Sequence, residues 1–348
     1  MKLLIITQKM DTQDPVLGFF VRWVEELAKH AESVHVIALE VGEHNLPENV
    51  TVHSLGKEKE KKEQSIIHNS KFIILAKLKY VWTFYRYIFQ LRKEYDAVFV
   101  HMNPEYIVLG GLLWRLWNKT IGLWYNHTVG SMWLKIAQPF TNYVFHTSPF
   151  AYTARYKNAH RMPAGIDTEV FKPHPEVEKI PKSIYFQGRV APAKRVHIII
   201  EAFSELYQNG EANLLTLVGP EDENYTKPLK EKFRSLIEEE ALVFKGVVPN
   251  SKTPELYTSH SVSVNLTDDG NYDKTVLESL ACGTSVITSS RAFSDAPVVQ
   301  IEKPTVKDFI EGYRHTRSEN QEDMVKYVKE NHSLESLGEK IFKIYVEK

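Results

Sequence analysis

Short apolar runs of strand length alternate along this chain with longer segments of helical period, and no other feature constrains the fold as much. Strands are expected at residues 3–6, 33–38, 97–101, 120–125 and 143–146, and again at 183–186, 213–218, 242–245, 261–265 and 285–288. Helices are expected over 20–29, 72–93, 196–207, 225–238 and 274–281. Continuous apolar strands separated by amphipathic helices predict an α/β chain of parallel sheets covered on both faces. The rhythm breaks between Arg161 and Pro173, where two prolines and a glycine interrupt both periods. Because 348 residues exceed one ordinary core, that break reads as a linker between two Rossmann-like domains, 1–163 and 164–321. Residues 322–348 read as helical with no strand after them, so they must dock on something already folded.

Bulk chemistry removes several classes of function. With 43 Lys+Arg against 44 Asp+Glu the formal net charge is -1, so there is no basic footprint for nucleic acid. The single cysteine, Cys282, excludes an internal disulfide and a multi-thiolate zinc site, fits a reducing compartment and reads as packing; a cytoplasmic location is expected. The apolar run at 3–6 is too short for the core of a signal peptide, and residues 72–91 carry Lys77, Lys79 and Arg86, which argues against a membrane span. No glycine-rich dinucleotide fingerprint follows the first strand, against a nicotinamide dehydrogenase. The charge run at 57–63 reads as a solvated segment.

Two segments carry chemistry. In the first, Phe186-Gln187-Gly188-Arg189-Val190-Ala191-Pro192-Ala193-Lys194 leaves a strand and enters an amphipathic helix, and strand ends opening into loops are where open parallel sheets bind ligands. Arg189 and Lys194 can converge on one diphosphate; the competing reading is a surface loop whose cations pair with nearby acids. In the second, Thr267 to Asp273 is a polar loop after a strand, and a helix begins near Asp273 or Lys274 with free backbone donors that suit a phosphate or a sugar hydroxyl. Glu278, about one turn in, has the reach to accept from ribose hydroxyls. Asp268-Asp269 reads as a turn rather than a metal pair.

These segments resemble the retaining glycosyltransferases of the large family four, two-Rossmann-domain enzymes of the GT-B type. The resemblance implies that Arg189 and Lys194, five apart, hold a donor diphosphate and that Glu278 holds its ribose. The stretch Pro163-Ala164-Gly165-Ile166-Asp167 through Phe171 is similar to the family's interdomain junction. The match is strong over 161–290 and weaker before it. One position departs: the family's second glutamate, eight residues before the ribose-binding one, is Gly270 here. Asp269 or Asp273 can supply a carboxylate instead, and Gly270, Asn271, Asp273, Lys274, Thr275 and Val276 are the residues expected to face sugar and phosphate. In the first domain the resemblance implies a catalytic histidine after a strand, His127 in preference to His101, and an early glycine, Gly18, that lets the first loop approach the phosphates. The base is expected near Gly219 and Val247, with no preference between uracil and guanine.

The resemblance further implies a cleft between facing domains, a C-terminal segment crossing back to the first domain, retention at the anomeric carbon, and neither metal nor cofactor. The donor is then a UDP- or GDP-linked sugar and the acceptor a glycan or lipid-linked molecule, in cell-surface polysaccharide or glycolipid assembly. The aromatic, basic helix at 72–93 suggests peripheral contact with the inner face of a membrane, against the plainer reading that its aromatics pack the first domain. The competing functions are a sugar-nucleotide epimerase and, because of Gly270, a non-catalytic nucleotide-sugar-binding subunit.

Overall fold

The alternation builds two units, one comprising Met1–Met162 and Leu337–Lys348, the other Pro163–Ser336. The structure, a computed structural model, describes residues 1–14, 16–58, 70–316 and 320–347, with the side chains of 70–75 outside that description. Most of the charge run at 57–63 therefore lies outside the described residues.

The first unit runs β1 (Lys2–Met10), α1 (Phe19–His30), β2 (Ser33–Val41), β3 (Val50–Ser54), α2 (Ser70–Gln90), β4 (Ala97–His101), α3 (Glu105–Leu116), β5 (Thr120–Trp124), α4 (Met132–Ala137), β6 (Tyr143–His146) and β7 (Ala159–Arg161). All of its strands are parallel, in the order β3-β2-β1-β4-β5-β6-β7. Leu3 to Ile6 are wholly buried, as a central strand covered on both faces requires. Alternation along the strands sends Leu4, Ile6, Val98, Val100, Ile121 and Leu123 to one face, where they share a core with Phe84 and Ile88 of α2, Ile107 and Trp114 of α3, and Leu134 of α4. The aromatics expected in α2 thus divide, Phe84 inward and Trp82 outward.

The second unit runs β8 (Ile180–Gln187), α5 (Val196–Gln208), β9 (Leu214–Val218), α6 (Glu223–Lys232), α7 (Arg234–Glu238), β10 (Leu242–Gly246), α8 (Thr253–Ser259), β11 (His260–Asn265), α9 (Lys274–Ala281), β12 (Ser285–Thr288), β13 (Val299–Gln300), α10 (Val306–His315) and α11 (Gln321–His332). Its parallel order, β10-β9-β8-β11-β12-β13, repeats the winding of the first sheet. Both units are therefore Rossmann-like. The last helix is α12 (Leu334–Val346).

Three departures from the sequence pattern have physical causes. Helix 225–238 is two helices, meeting at Phe233 after Pro228, whose missing N–H weakens the ladder within α6. Helix α3, EYIVLGGLLWRL, is apolar on nearly every side and shows no helical period; its Gly110 and Gly111 leave room for Trp114 and Phe140. The stretch 322–348 does not act as one piece on the first domain. Met324 and Val328 of α11 lie in the core of the second unit with Leu277 and Leu280, whereas α12 from Leu337 onward belongs to the first unit. There the Tyr345 hydroxyl donates to the Val98 carbonyl at 2.8 Å, and its ring sits over Gly122, where any Cβ would overlap that hydroxyl.

Candidate functional site

In a parallel sheet every strand ends at the same edge, so the loops after β8, β9, β10 and β11 gather there. They carry Gly188-Arg189, Gly219, Val247 and Thr267 to Asp273 respectively. Their backbones pack tightly: Gly188 N–H donates to Val218 O at 2.9 Å and Gly219 N–H to Gly246 O at 2.8 Å. Gly219 has φ +137°, and a Cβ there would overlap the Gly188 carbonyl.

Lys194 is half-buried at the start of α5, and its ammonium donates to Asp273 Oδ2 at 2.6 Å. The same carboxylate oxygen accepts from Asn265 Nδ2 at 2.8 Å. Arg189, five residues earlier, is exposed. Its neighbour in the motif, Arg195, carries no signal in the sequence and is an anchor in the structure. It adopts a left-handed φ of +50°, and its guanidinium donates to Leu266 O at 2.8 Å and to Asp268. Arg291 likewise donates from Nε to Asp269 at 2.6 Å, and its backbone N–H reaches the same carboxylate at 2.9 Å. Each acid of the loop, Asp268, Asp269 and Asp273, thus faces its own cation. Asp268-Asp269 is a pair of arginine partners, and among the described residues no group of three metal-ligating side chains occurs.

Gly270 is the turn of this loop, at φ +84°. A glutamate there would be strained, so the departure from the family pattern belongs to the backbone and not to the side chain alone. Asp269 and Asp273, the two expected substitutes, are both engaged by cations. Because the Asp273 carboxylate turns to Lys194, it does not cap α9 with its side chain. Asn271 is held by its carbonyl, which accepts from Ser290 Oγ at 2.7 Å.

Behind this start, α9 is buried. Glu278 is 6% exposed and accepts from the Tyr257 hydroxyl at 3.0 Å on Oε2. Burial raises its carboxyl pKa, while Lys274, one turn earlier, pulls the other way. Burial in turn lowers the Lys274 ammonium. Thr275 is half-buried and Val276 lies in the core. Cys282 is buried and its thiol pKa is pushed up by that burial. Beside Gly219 and Val247 opens a cavity of about 890 Å³, lined also by Pro220, Lys230 and Arg234.

In the first unit, Gly18 opens α1. A Cβ there would overlap Asp14 O, so a close backbone approach requires the glycine although its φ is ordinary. The preceding loop is tied down by Lys9, whose ammonium meets Asp14 at 2.8 Å and Glu40 at 3.2 Å. His127 follows β5 and is open to solvent, with its ring 5.4 Å from that of Tyr125; surrounding protein lowers its pKa by desolvation. His101, the rival, is buried, stacked at 4.1 Å on Phe20, with Thr7 Oγ1 3.4 Å from Nδ1. It packs a core.

Two Rossmann-like units, one presenting cations and an uncapped helix start at its strand edge, define the fold of the GT-B glycosyltransferases. The family model described as "Glycosyl transferases group 1" matches residues 167–341, half of the sequence, and the chain belongs to that family. It is similar to mannosylfructose-phosphate synthase of Agrobacterium fabrum, 29% identical over 153 residues, which cover 40% of this chain and 34% of that protein. It is also similar to alpha-monoglucosyldiacylglycerol synthase of Streptococcus pneumoniae, 25% identical over 112 residues, 32% of this chain and 25% of that one. The matches thus span about a third and a quarter of these relatives. Among solved structures, Anabaena HepE in complex with UDP-glucose superposes with a TM-score of 0.75 at 14% identity over 100% of both chains. Sucrose-phosphate synthase from Thermosynechococcus elongatus gives 0.72 at 15% identity, over 100% of this chain and 99% of that one. At such identities the likeness is one of fold.

Proposed function

We propose that this glycosyltransferase is a retaining, metal-independent hexosyltransferase of family four that uses a UDP- or GDP-linked sugar. The observation that carries the reading is the strand-edge loop, where Lys194 is oriented at 2.6 Å by Asp273 and Arg189 stands exposed five residues before it. Fixed cations of this kind can neutralise a departing diphosphate as the glycosyl bond breaks. In a retaining transfer the acceptor oxygen attacks on the face that the diphosphate leaves, and its proton passes to the departing oxygen. Glu278 keeps one carboxylate oxygen outside the Tyr257 bond for ribose hydroxyls, and the loop from Gly270 to Thr275 supplies backbone donors to sugar and phosphate. Gly219 and Val247, on the wall of the 890 Å³ cavity, are assigned to the base. His127 is the first unit's candidate, with desolvation lowering its pKa and so favouring the neutral ring.

Uracil is the first base to test, because HepE has been crystallised with UDP-glucose. The acceptor is read as a glycan or lipid-linked molecule in cell-surface polysaccharide or glycolipid assembly; of the two relatives, the Streptococcus pneumoniae synthase names a lipid product. A cytoplasmic location at the inner face of a membrane, with no cofactor, completes the reading.

The test is thermal stabilisation across UDP-, GDP- and ADP-sugars and the bare nucleotides, because a ligand that binds only the folded form raises Tm. A shift confined to one nucleotide series identifies the donor class; no shift with any of them would sink the reading. Gly270 favours a second possibility, a subunit that binds the donor without transferring it. Stabilisation by a nucleotide sugar with no transfer to any acceptor and no slow hydrolysis of the donor would select it.

A further inference from the structure

Helices α2, α3 and α4 lie on one face of the first unit's sheet, with Phe84, Ile88, Ile107, Trp114 and Leu134 turned into a single core. Their other side is unusually apolar. Trp82 (63% exposed), Phe89, Leu112, Leu116, Met132 (75% exposed) and Trp133 all stand out into solvent. Residues 82 and 89 are two turns apart, and 112 and 116 are one turn apart, so each pair shares a helical face. Phe89 packs edge-on against Trp117 at 5.1 Å, which joins the stripe of α2 to the end of α3, and α4 packs beside α3.

Charge on this layer is one-sided. From Ser70 to Lys93 the sequence holds no acid, α4 holds none, and α3 holds only Glu105 in its first turn. Exposed cations Lys79, Arg86, Arg115 and Lys135 are interleaved with the apolar side chains. The Arg86 guanidinium rests 5.6 Å from the Trp82 ring centre, a cation over an aromatic face. In a chain whose formal net charge is -1 this is a local concentration of positive charge.

We infer that the outer face of the α2–α3–α4 layer docks on the surface of an anionic lipid bilayer. Tryptophan, leucine and methionine enter the headgroup boundary while lysine and arginine meet lipid phosphates, the division of labour of interfacial helices. Among the described residues no helix is long and apolar enough to cross a membrane, so the contact is peripheral. A second copy of the chain is the poorer occupant, because pairing two such faces brings like charges together with almost no acid to offset them. The inference does not rest on the donor reading, since vesicle binding needs no nucleotide sugar.

The test is co-sedimentation of the full chain with vesicles of phosphatidylcholine containing phosphatidylglycerol, against phosphatidylcholine alone, at low and high salt. Binding should require the anionic lipid and fall as salt screens it. Arg86→Glu combined with Lys135→Glu should lower affinity about a hundredfold or more, and Trp82→Ser combined with Trp133→Ser about tenfold or more. The salt titration of the unaltered chain needs no variant, and unchanged Tm shows that each variant folds. Equal binding to neutral vesicles, no effect of the charge reversals, or concentration-dependent dimerisation abolished by the tryptophan substitutions would each overturn the inference.

Discussion

The two units share one strand order and use it differently. Among the described residues fourteen large apolar side chains are exposed, and only Ile180 and Val247 of them belong to the second unit. The second unit instead concentrates paired charge at its strand edge, where Asp268, Asp269 and Asp273 meet Arg195, Arg291 and Lys194. A doubly wound sheet fixes where its loops emerge and leaves their chemistry open. The difference teaches that one winding can gather matched charge where its loops meet and, in the other unit, leave large apolar side chains on the outside.

That contrast can be broken by substitution. The largest expected effect is at Glu278→Ala, which leaves a cavity in the buried face of α9, takes away the acceptor of the Tyr257 hydroxyl and should cost about 3 kcal/mol of stability in the second unit. Calorimetry at several pH values checks it. The cost should shrink as pH rises from 4.5 toward about 7, because burial disfavours the ionised carboxylate of the unaltered chain and the variant has no such group to ionise. Next, Lys194→Ala should lower turnover of the nucleotide-sugar donor about a hundredfold while leaving vesicle binding intact; near-normal rates would refute its role. Gly219→Ala should cost about 2 kcal/mol, since it sets a methyl against the Gly188 carbonyl at a left-handed φ. Melting curves with and without donor would register both that loss and the weakened donor shift.

The smallest effect belongs to the first unit. His35 Nδ1 and His53 Nε2 lie 3.2 Å apart, and burial lowers both pKa values from 6.5. Their neutral forms are therefore favoured by folding. The stability they contribute is full above pH 6.5 and declines as pH falls below it. A first-unit melting transition that kept its Tm from pH 7 to 5 would contradict this. If His127 serves the transfer as proposed, the same sign places the acid limb of the rate profile below 6.5.

Much of the fold is legible in the residues alone because it is periodic. Helix α9 begins and ends where the sequence pattern puts it, and β1 and β4 are built on the apolar runs 3–6 and 97–100, although β1 continues through polar residues to Met10. Strands β3, β7 and β13 escape such a reading because they are short edge pieces with few buried residues to mark them. Helix α3 escapes for the opposite reason, being apolar all round. At the site the sequence points to Lys194 and Asp273 separately, but their contact spans 79 positions and belongs to the fold. Arg195 and Arg291 give no signal at all; their partners are visible as an acidic loop, and an acidic loop does not say which cations will hold it.

The Tyr345 hydroxyl that reaches Val98 carries a consequence for how the molecule is made. Residues 337–347 complete a layer of the first unit, yet the ribosome reaches them only after the whole second unit has been synthesised. The second unit can close as soon as it emerges, whereas the first must wait with the part of its sheet around Gly122 uncovered, α1 alone packing on that face. A chain stopped after residue 336 should therefore carry a finished second unit beside an aggregation-prone neighbour, and the hazard of misfolding falls on the half that is made first.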